Sequence, residues 1–261
     1  NRACGLPTSL RENEIMPSNN MKPVIVTGAS SGIGLAIART FLDHGYNVVG
    51  NARNAARLQQ AAVQLERPER FLGVAGDIGE PATARQLVDA AVQRFGQVDV
   101  LVNNAGIFNA KPFTDYSVEE IDALISTNLK GVVYASQAVA AHMIPRRSGH
   151  IVNITASIAL QPSIKVPATL PVLLKGGLNQ ATRALALELS PYNIQVNAVA
   201  PGIVDTPMYS AEQHAFLNTL QPAGRIARAS EIADAVLYLS QATFTSGAVL
   251  PVDGGMSSGT W

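Results

Sequence analysis

The chain has 261 residues, 47% of them hydrophobic and 15% charged, with 19 Lys+Arg balanced by 19 Asp+Glu. A formal net charge of zero argues against a nucleic-acid-binding surface, and no apolar run approaches the ~20 residues needed to span a bilayer. The one cysteine, Cys4, excludes an intrachain disulfide framework and fits a reducing, cytoplasmic setting.

Residues 1–21 are polar and mixed and read as a flexible extension. From Lys22 onward, short apolar runs alternate with amphipathic stretches. Pro23–Val26, Val48–Val49, Phe71–Val74, Val98–Val102, Ile151–Ile154, Ile194–Val199 and Ala248–Val252 are expected strands. Their β-branched, continuous character suits parallel strands covered on both faces. Helical periodicity covers Ile33–His44, Asn54–Leu65, Pro81–Phe95, Val118–Met143, Val172–Leu189 and Ala229–Leu239. Alternation sustained this long predicts an α/β fold, a single Rossmann-type doubly wound parallel sheet over residues 22–261. The stretch from Val204 to Gly224 has mixed polarity and no clear period, and is expected to be an irregular lid over a site.

The first strand runs into Thr27-Gly28-Ala29-Ser30-Ser31-Gly32-Ile33-Gly34 and then a helix. Glycines at 28, 32 and 34 allow a tight turn and close approach of backbone N–H groups to a pyrophosphate, with the helix dipole favouring the anion. The loop Gly28, Ser30, Ser31, Gly32, Ile33 and Gly34 is therefore the candidate phosphate cradle. The second strand leads into Asn51-Ala52-Arg53-Asn54 with no carboxylate to meet a free ribose 2′-hydroxyl, and Arg53 suits a 2′-phosphate. NADP(H) is the expected cofactor. No metal site is expected.

Further motifs follow in order: Asp77 after the third strand, Asn103-Asn104-Ala105-Gly106 after the fourth, Asn128 inside Ser126–Gly131, Pro201-Gly202 after the sixth, Thr206, and Val252-Asp253-Gly254-Gly255 at the end. With the glycine loop, these make the chain resemble the short-chain dehydrogenase/reductase family over roughly residues 22–258. The resemblance implies that Asn104 shapes the cofactor floor, Asp77 holds the adenine, Pro201, Gly202 and Thr206 meet the nicotinamide end, and Asn128 and Lys175 serve catalysis. Lys175 would also anchor the nicotinamide ribose. The family's catalytic tyrosine stands four residues before the lysine; here that position is Pro171. The six tyrosines are at 46, 116, 134, 192, 209 and 238, so no small shift of register restores it. Counting from the fifth strand puts Ala156 at the family's serine position, and Ser157 is taken as the candidate hydroxyl, with Thr155 beside it.

These residues imply an NADPH-dependent reductase with a non-standard proton path, acting on a C=N bond or an activated C=O or C=C bond of a small, hydrophobic substrate. Substitute donors are Lys175, Ser157, Thr155, Tyr209 and His214. A sensor or partner protein that binds NADP(H) without turnover is the alternative. By resemblance, the helices over 118–143 and 172–189 pair with other copies, giving a homodimer or homotetramer.

Overall fold

The structure, a computed structural model, describes residues 21–259. The expected extension therefore lies outside the described residues, apart from Met21. Strands β1 (Pro23–Thr27), β2 (Asn47–Ala52), β3 (Phe71–Ala75), β4 (Val100–Asn103), β5 (Gly149–Ile154), β6 (Ile194–Pro201), β7 (Val204–Asp205), β8 (Ala227–Arg228) and β9 (Val249–Val252) alternate with helices. These are α1 (Gly32–Asp43), α2 (Ala55–Leu65), α3 (Pro81–Phe95), α4 (Val118–Ile125), α5 (Gly131–Arg146), α6 (Thr169–Leu189), α7 (Ala211–Asn218) and α8 (Ala229–Gln241).

Seven strands form one parallel sheet in the order β3-β2-β1-β4-β5-β6-β9. Both faces are covered, as the strand composition requires. In β1, Val24 and Val26 join one core with Ile37 and Phe41 of α1 and Ile232 and Val236 of α8. Ile25 between them points into a second core with Leu87 of α3, Val139 and Met143 of α5, and Leu189 of α6. The period of two along a strand thus splits one apolar run between two helical layers. The order reverses between β1 and β4, so the crevice beyond their carboxyl ends is the place for a ligand.

Three sequence expectations change. The stretch 118–143 is two helices, α4 and α5, joined by a π-helical turn at Ser126–Lys130. The helix expected from Val172 begins at Thr169, with Pro171 inside its first turn, where an N–H has no intrahelical acceptor and its loss costs little. The 204–224 stretch is ordered, not irregular. It holds β7 and α7, and β7 pairs with β8 in a separate two-stranded sheet. Helix α7 has one buried residue, Leu217, so it shows no apolar stripe in the sequence. Among the described residues no helix is long and apolar enough to cross a membrane.

Candidate functional site

The candidate phosphate loop is held by contacts between the ends of β1 and β4. Thr27 Oγ1 accepts hydrogen bonds from the backbone N–H groups of Asn104 at 3.0 Å and Ala105 at 2.9 Å. Asn104 in turn donates from Nδ2 to the carbonyls of Thr27 at 2.9 Å and Gly28 at 3.3 Å. The loop's floor is therefore tied to the neighbouring strand before any ligand arrives.

Two glycines are fixed by this packing. Gly28 has φ of +68°, and a Cβ there would lie 2.9 Å from the Ala105 Cα. At Gly34 a Cβ would lie 2.1 Å from the Gly28 oxygen, so only glycine lets α1 approach the strand this closely. Ser31 caps α1 by position, but its side chain makes no cap bond and no acidic residue lies in the first turn. The first-turn N–H groups and the positive end of the helix dipole are left for an anion. Ser30 and Ile33 are half-buried beside them and Ser31 is exposed.

Arg53 lies just past the end of β2 and is exposed. Among the described residues its side chain has no hydrogen-bond or ion-pair partner, so the guanidinium is available to a ligand. The strand end is held by Asn51, whose Nδ2 donates to the carbonyls of Val74 at 3.2 Å and Gly76 at 3.1 Å. Asp77 is exposed and its Oδ1 accepts from the Gly79 N–H at 2.9 Å.

At the other end of the crevice, Asn128 sits in the π turn, where the extra residue re-aims the backbone. Its Nδ2 donates to Ile107 O at 3.0 Å and Leu124 O at 3.1 Å, and its Oδ1 accepts from the Ile107 N–H at 3.2 Å. Lys175 is half-buried on α6 and its Nζ donates to the Ile154 carbonyl at 2.8 Å. The two polar heads meet over Gly106: a Cβ there would be 2.8 Å from Asn128 Oδ1 and 3.5 Å from Lys175 Nζ. With no carboxylate paired to it, burial lowers the Lys175 ammonium pKa to about 8.

Pro171 is buried one helical turn before Lys175, between Leu170 and Leu174. Those leucines and Leu124 form a small apolar cluster, with Ile107, Tyr116 and Ile121 packed against it. Ser157 is not brought to the open side of the site. It is 1% exposed, and its Oγ points at the Met256 sulfur 3.5 Å away. Thr155 Oγ1 donates to Val199 O at 3.3 Å. Ala156, extended between them, carries the half-open position without a hydroxyl. Tyr116 donates its hydroxyl to Asn109 O at 2.5 Å. Tyr209 is half-buried, which raises its pKa, and His214 Nε2 lies 3.5 Å from Asp205 Oδ1.

Thr206 lies against the phosphate loop: a Cβ at Gly32 would be 3.2 Å from its Cγ2. The start of the 204–224 segment therefore crosses the glycine turn. Gly202 donates its N–H to Val252 O at 3.0 Å, joining the Pro201-Gly202 turn to the closing motif. Thr27 and Gly106 stand inside the motifs quoted from the sequence but were not singled out as site residues. A hydroxyl residue ending a strand before a glycine loop was the available signal for the first; the second is visible only once Asn128 and Lys175 are placed.

The short chain dehydrogenase family profile matches residues 22–215. The chain is 36% identical over 239 residues to the (2S)-[(R)-hydroxy(phenyl)methyl]succinyl-CoA dehydrogenase subunit BbsD of Thauera aromatica, covering 89% of this chain and 95% of that one. It is also 36% identical over 244 residues to the gluconate 5-dehydrogenase of Gluconobacter oxydans (strain 621H), covering 89% and 93%. Among solved structures, ElxO with NADP bound superposes with a TM-score of 0.86 at 27% identity, covering 92% of this chain and all of that one. A mutant of a Serratia marcescens short-chain dehydrogenase/reductase superposes at 0.82 with 33% identity, covering 90% and 98%.

Proposed function

The chain belongs to the short-chain dehydrogenase family and is an oxidoreductase of that type, and from this premise we propose that it is an NADPH-dependent reductase with an altered proton path. Residues 22–261 form the proposed catalytic domain, with 204–224 as its lid, and the site of action is cytoplasmic. The observation that carries the reading is the Asn128–Gly106–Lys175 arrangement, kept intact beside a proline that can donate no proton.

The residues fit the cofactor. Gly28, Ser30, Ser31, Gly32, Ile33 and Gly34 would cradle the pyrophosphate, and Arg53 would meet the 2′-phosphate. Asp77 would meet the adenine. Asn104 would hold the floor, Lys175 the nicotinamide ribose, and Pro201, Gly202 and Thr206 the nicotinamide end. When bound, NADPH supplies a hydride.

What the chain itself supplies on the reacting side is an apolar wall, Leu170 and Pro171, and one ammonium, Lys175. Ser157 is the weakest member of the proposed catalytic set, since its hydroxyl already faces Met256. An alkoxide growing against an apolar wall without a tyrosine donor is costly. A protonated C=N bond avoids it: hydride adds at carbon, the π pair falls to nitrogen, and a neutral amine results with no further proton. We therefore favour a hydrophobic cyclic imine over a simple ketone as the substrate class, with activated C=O or C=C bonds as alternatives.

The experiment is NADPH consumption with a cyclic imine and its ketone isostere at matched concentration, after cofactor binding is established by titration. Turnover of the imine alone is the expected result. Equal turnover of the ketone would refute the preference for an imine and require a substitute proton donor in the site. Pro171 itself favours a second reading, a protein that binds NADP(H) without redox turnover; tight NADPH binding with silence on both substrates would select it.

A further inference from the structure

Gln221 is 3% exposed, at the return end of the 204–224 segment. Its Oε1 accepts from the Ile203 N–H at 3.1 Å, and its Nε2 donates to Ile203 O at 3.2 Å and Arg225 O at 2.8 Å. The side chain thus bonds the outgoing root at Ile203 in both directions and the incoming root at Arg225 as well. Ile203 O also accepts from the Ala227 N–H at 2.9 Å, where β7 and β8 begin to pair.

The same side chain reaches the cofactor crevice. The Cα of Gly202 lies so close to Gln221 that a Cβ would be 2.3 Å from its Oε1 and 2.9 Å from the Asp253 Cα. Ala223 donates its N–H to Gly254 O at 3.1 Å, seating the returning turn on the closing motif. A buried amide whose two hydrogens and oxygen are directed at two chain segments fixes their separation, because breaking it leaves backbone groups unsatisfied.

We propose that Gln221 is a positioning residue that pins both roots of the 204–224 segment and thereby holds Gly202 and Thr206 at the nicotinamide end of the crevice. The proposal rests on the NADP(H) reading. It separates the two ends of the cofactor: Arg53 and Asp77 at the adenine end follow β2 and β3 and share no hydrogen bond with Gln221 among the described residues, whereas Thr206 packs on Gly32.

The test compares wild type, Gln221→Leu and Gln221→Glu by calorimetric titration with NADPH and with adenosine 2′,5′-bisphosphate, which lacks the nicotinamide half. Gln221→Leu is expected to raise the NADPH Kd about tenfold, the loss of roughly one to two net hydrogen bonds, and to leave the bisphosphate Kd unchanged. In Gln221→Glu the affinity for NADPH is low at pH 8 and recovers as the pH falls, because a protonated carboxyl again offers one donor and one acceptor. Amide exchange over 203–206 accelerates in Gln221→Leu. An unchanged NADPH Kd, or equal weakening of both ligands, overturns the proposal while the NADP(H) reading stands. Wild-type protein that binds neither ligand overturns that reading, and the proposal falls with it.

Discussion

Lys175 carries a cost in the free protein that its proposed place at the nicotinamide ribose would explain. Its pKa falls from the ordinary 10.5 to about 8 because the ammonium is desolvated with one carbonyl as partner. Below about pH 8 both folded and unfolded chains are charged here, and the folded state bears the full penalty. As pH rises through the window from 8 to 10.5, the unfolded chain holds more protons and this group's penalty fades, so stability rises with pH. The shift corresponds to at most about 3 kcal/mol, reduced by solvent reaching a half-buried side chain. Lys175→Met also strips the donor from Ile154 O, which costs about 1 kcal/mol. The expected net is a free protein stabilised at pH 7 by about 1 kcal/mol, with the rise between pH 8 and 10 gone, read from urea midpoints at both pH values. A variant less stable than wild type at pH 7 would mean that the ammonium is not penalised. Arg53 makes a contrasting prediction, because it is exposed and unpaired and does nothing for the fold. Arg53→Ala is expected to leave the urea midpoint unchanged and to weaken NADPH binding by about ten- to a hundredfold, the worth of a charge-assisted phosphate contact. NADH titration should show no change; equal loss with both cofactors would remove Arg53 from the 2′-phosphate.

Between α4 and α5, the π turn shows where sequence reading stops. A stretch that stays apolar at helical spacing reads as one helix, and a single inserted residue shifts the phase too little to break the pattern. Yet that residue places Asn128 so that it bonds both backbone groups of Ile107. Asn128→Ala leaves the Ile107 N–H and carbonyl without these partners. The expected destabilisation is about 2–3 kcal/mol in chemical denaturation, and a loss under about 0.5 kcal/mol would show that the turn holds itself. Elements whose signal is apolar period were legible: the seven strands of the main sheet, α1, α2, α3 and α8. The glycine loop was read from its spacing, and Asn104, Asn128 and Lys175 came only from the family resemblance. Elements held by polar contacts were not. β2 extends from Val48–Val49 to Asn47–Ala52 because Asn47, Gly50 and Asn51 pair in register with β1, which no hydropathy pattern records. Ser157 meets the same limit: it stands in a short 3-10 turn beyond β5, and no hydropathy pattern records that its hydroxyl faces Met256. Gln221 had no signal at all, being one polar residue among many in an aperiodic stretch.

At the scale of the molecule, the helical layer over α5 and α6 leaves apolar surface on show. Leu173 is 66% exposed and Leu187 79%, and they lie 14 residues apart on α6, close to one face four turns along, with the small Gly177, Ala181 and Ala184 between them. Val133 on α5 is 49% exposed. The exposed Gln180 interrupts this stripe midway, while its small residues let a second helix approach closely. The 19-to-19 charge balance sets no net repulsion against association. We propose that this face joins copies of the chain into a dimer or tetramer, which light scattering on the wild-type protein would register as two or four chain masses. Leu187→Glu is the sharper experiment. The exposed side chain contributes little to its own fold, so the variant is expected to keep its urea midpoint within about 0.5 kcal/mol while a buried, unpaired carboxylate at the interface drives the assembly to smaller species. An unchanged mass would move the interface elsewhere on the surface, and a monomeric wild type would remove it altogether.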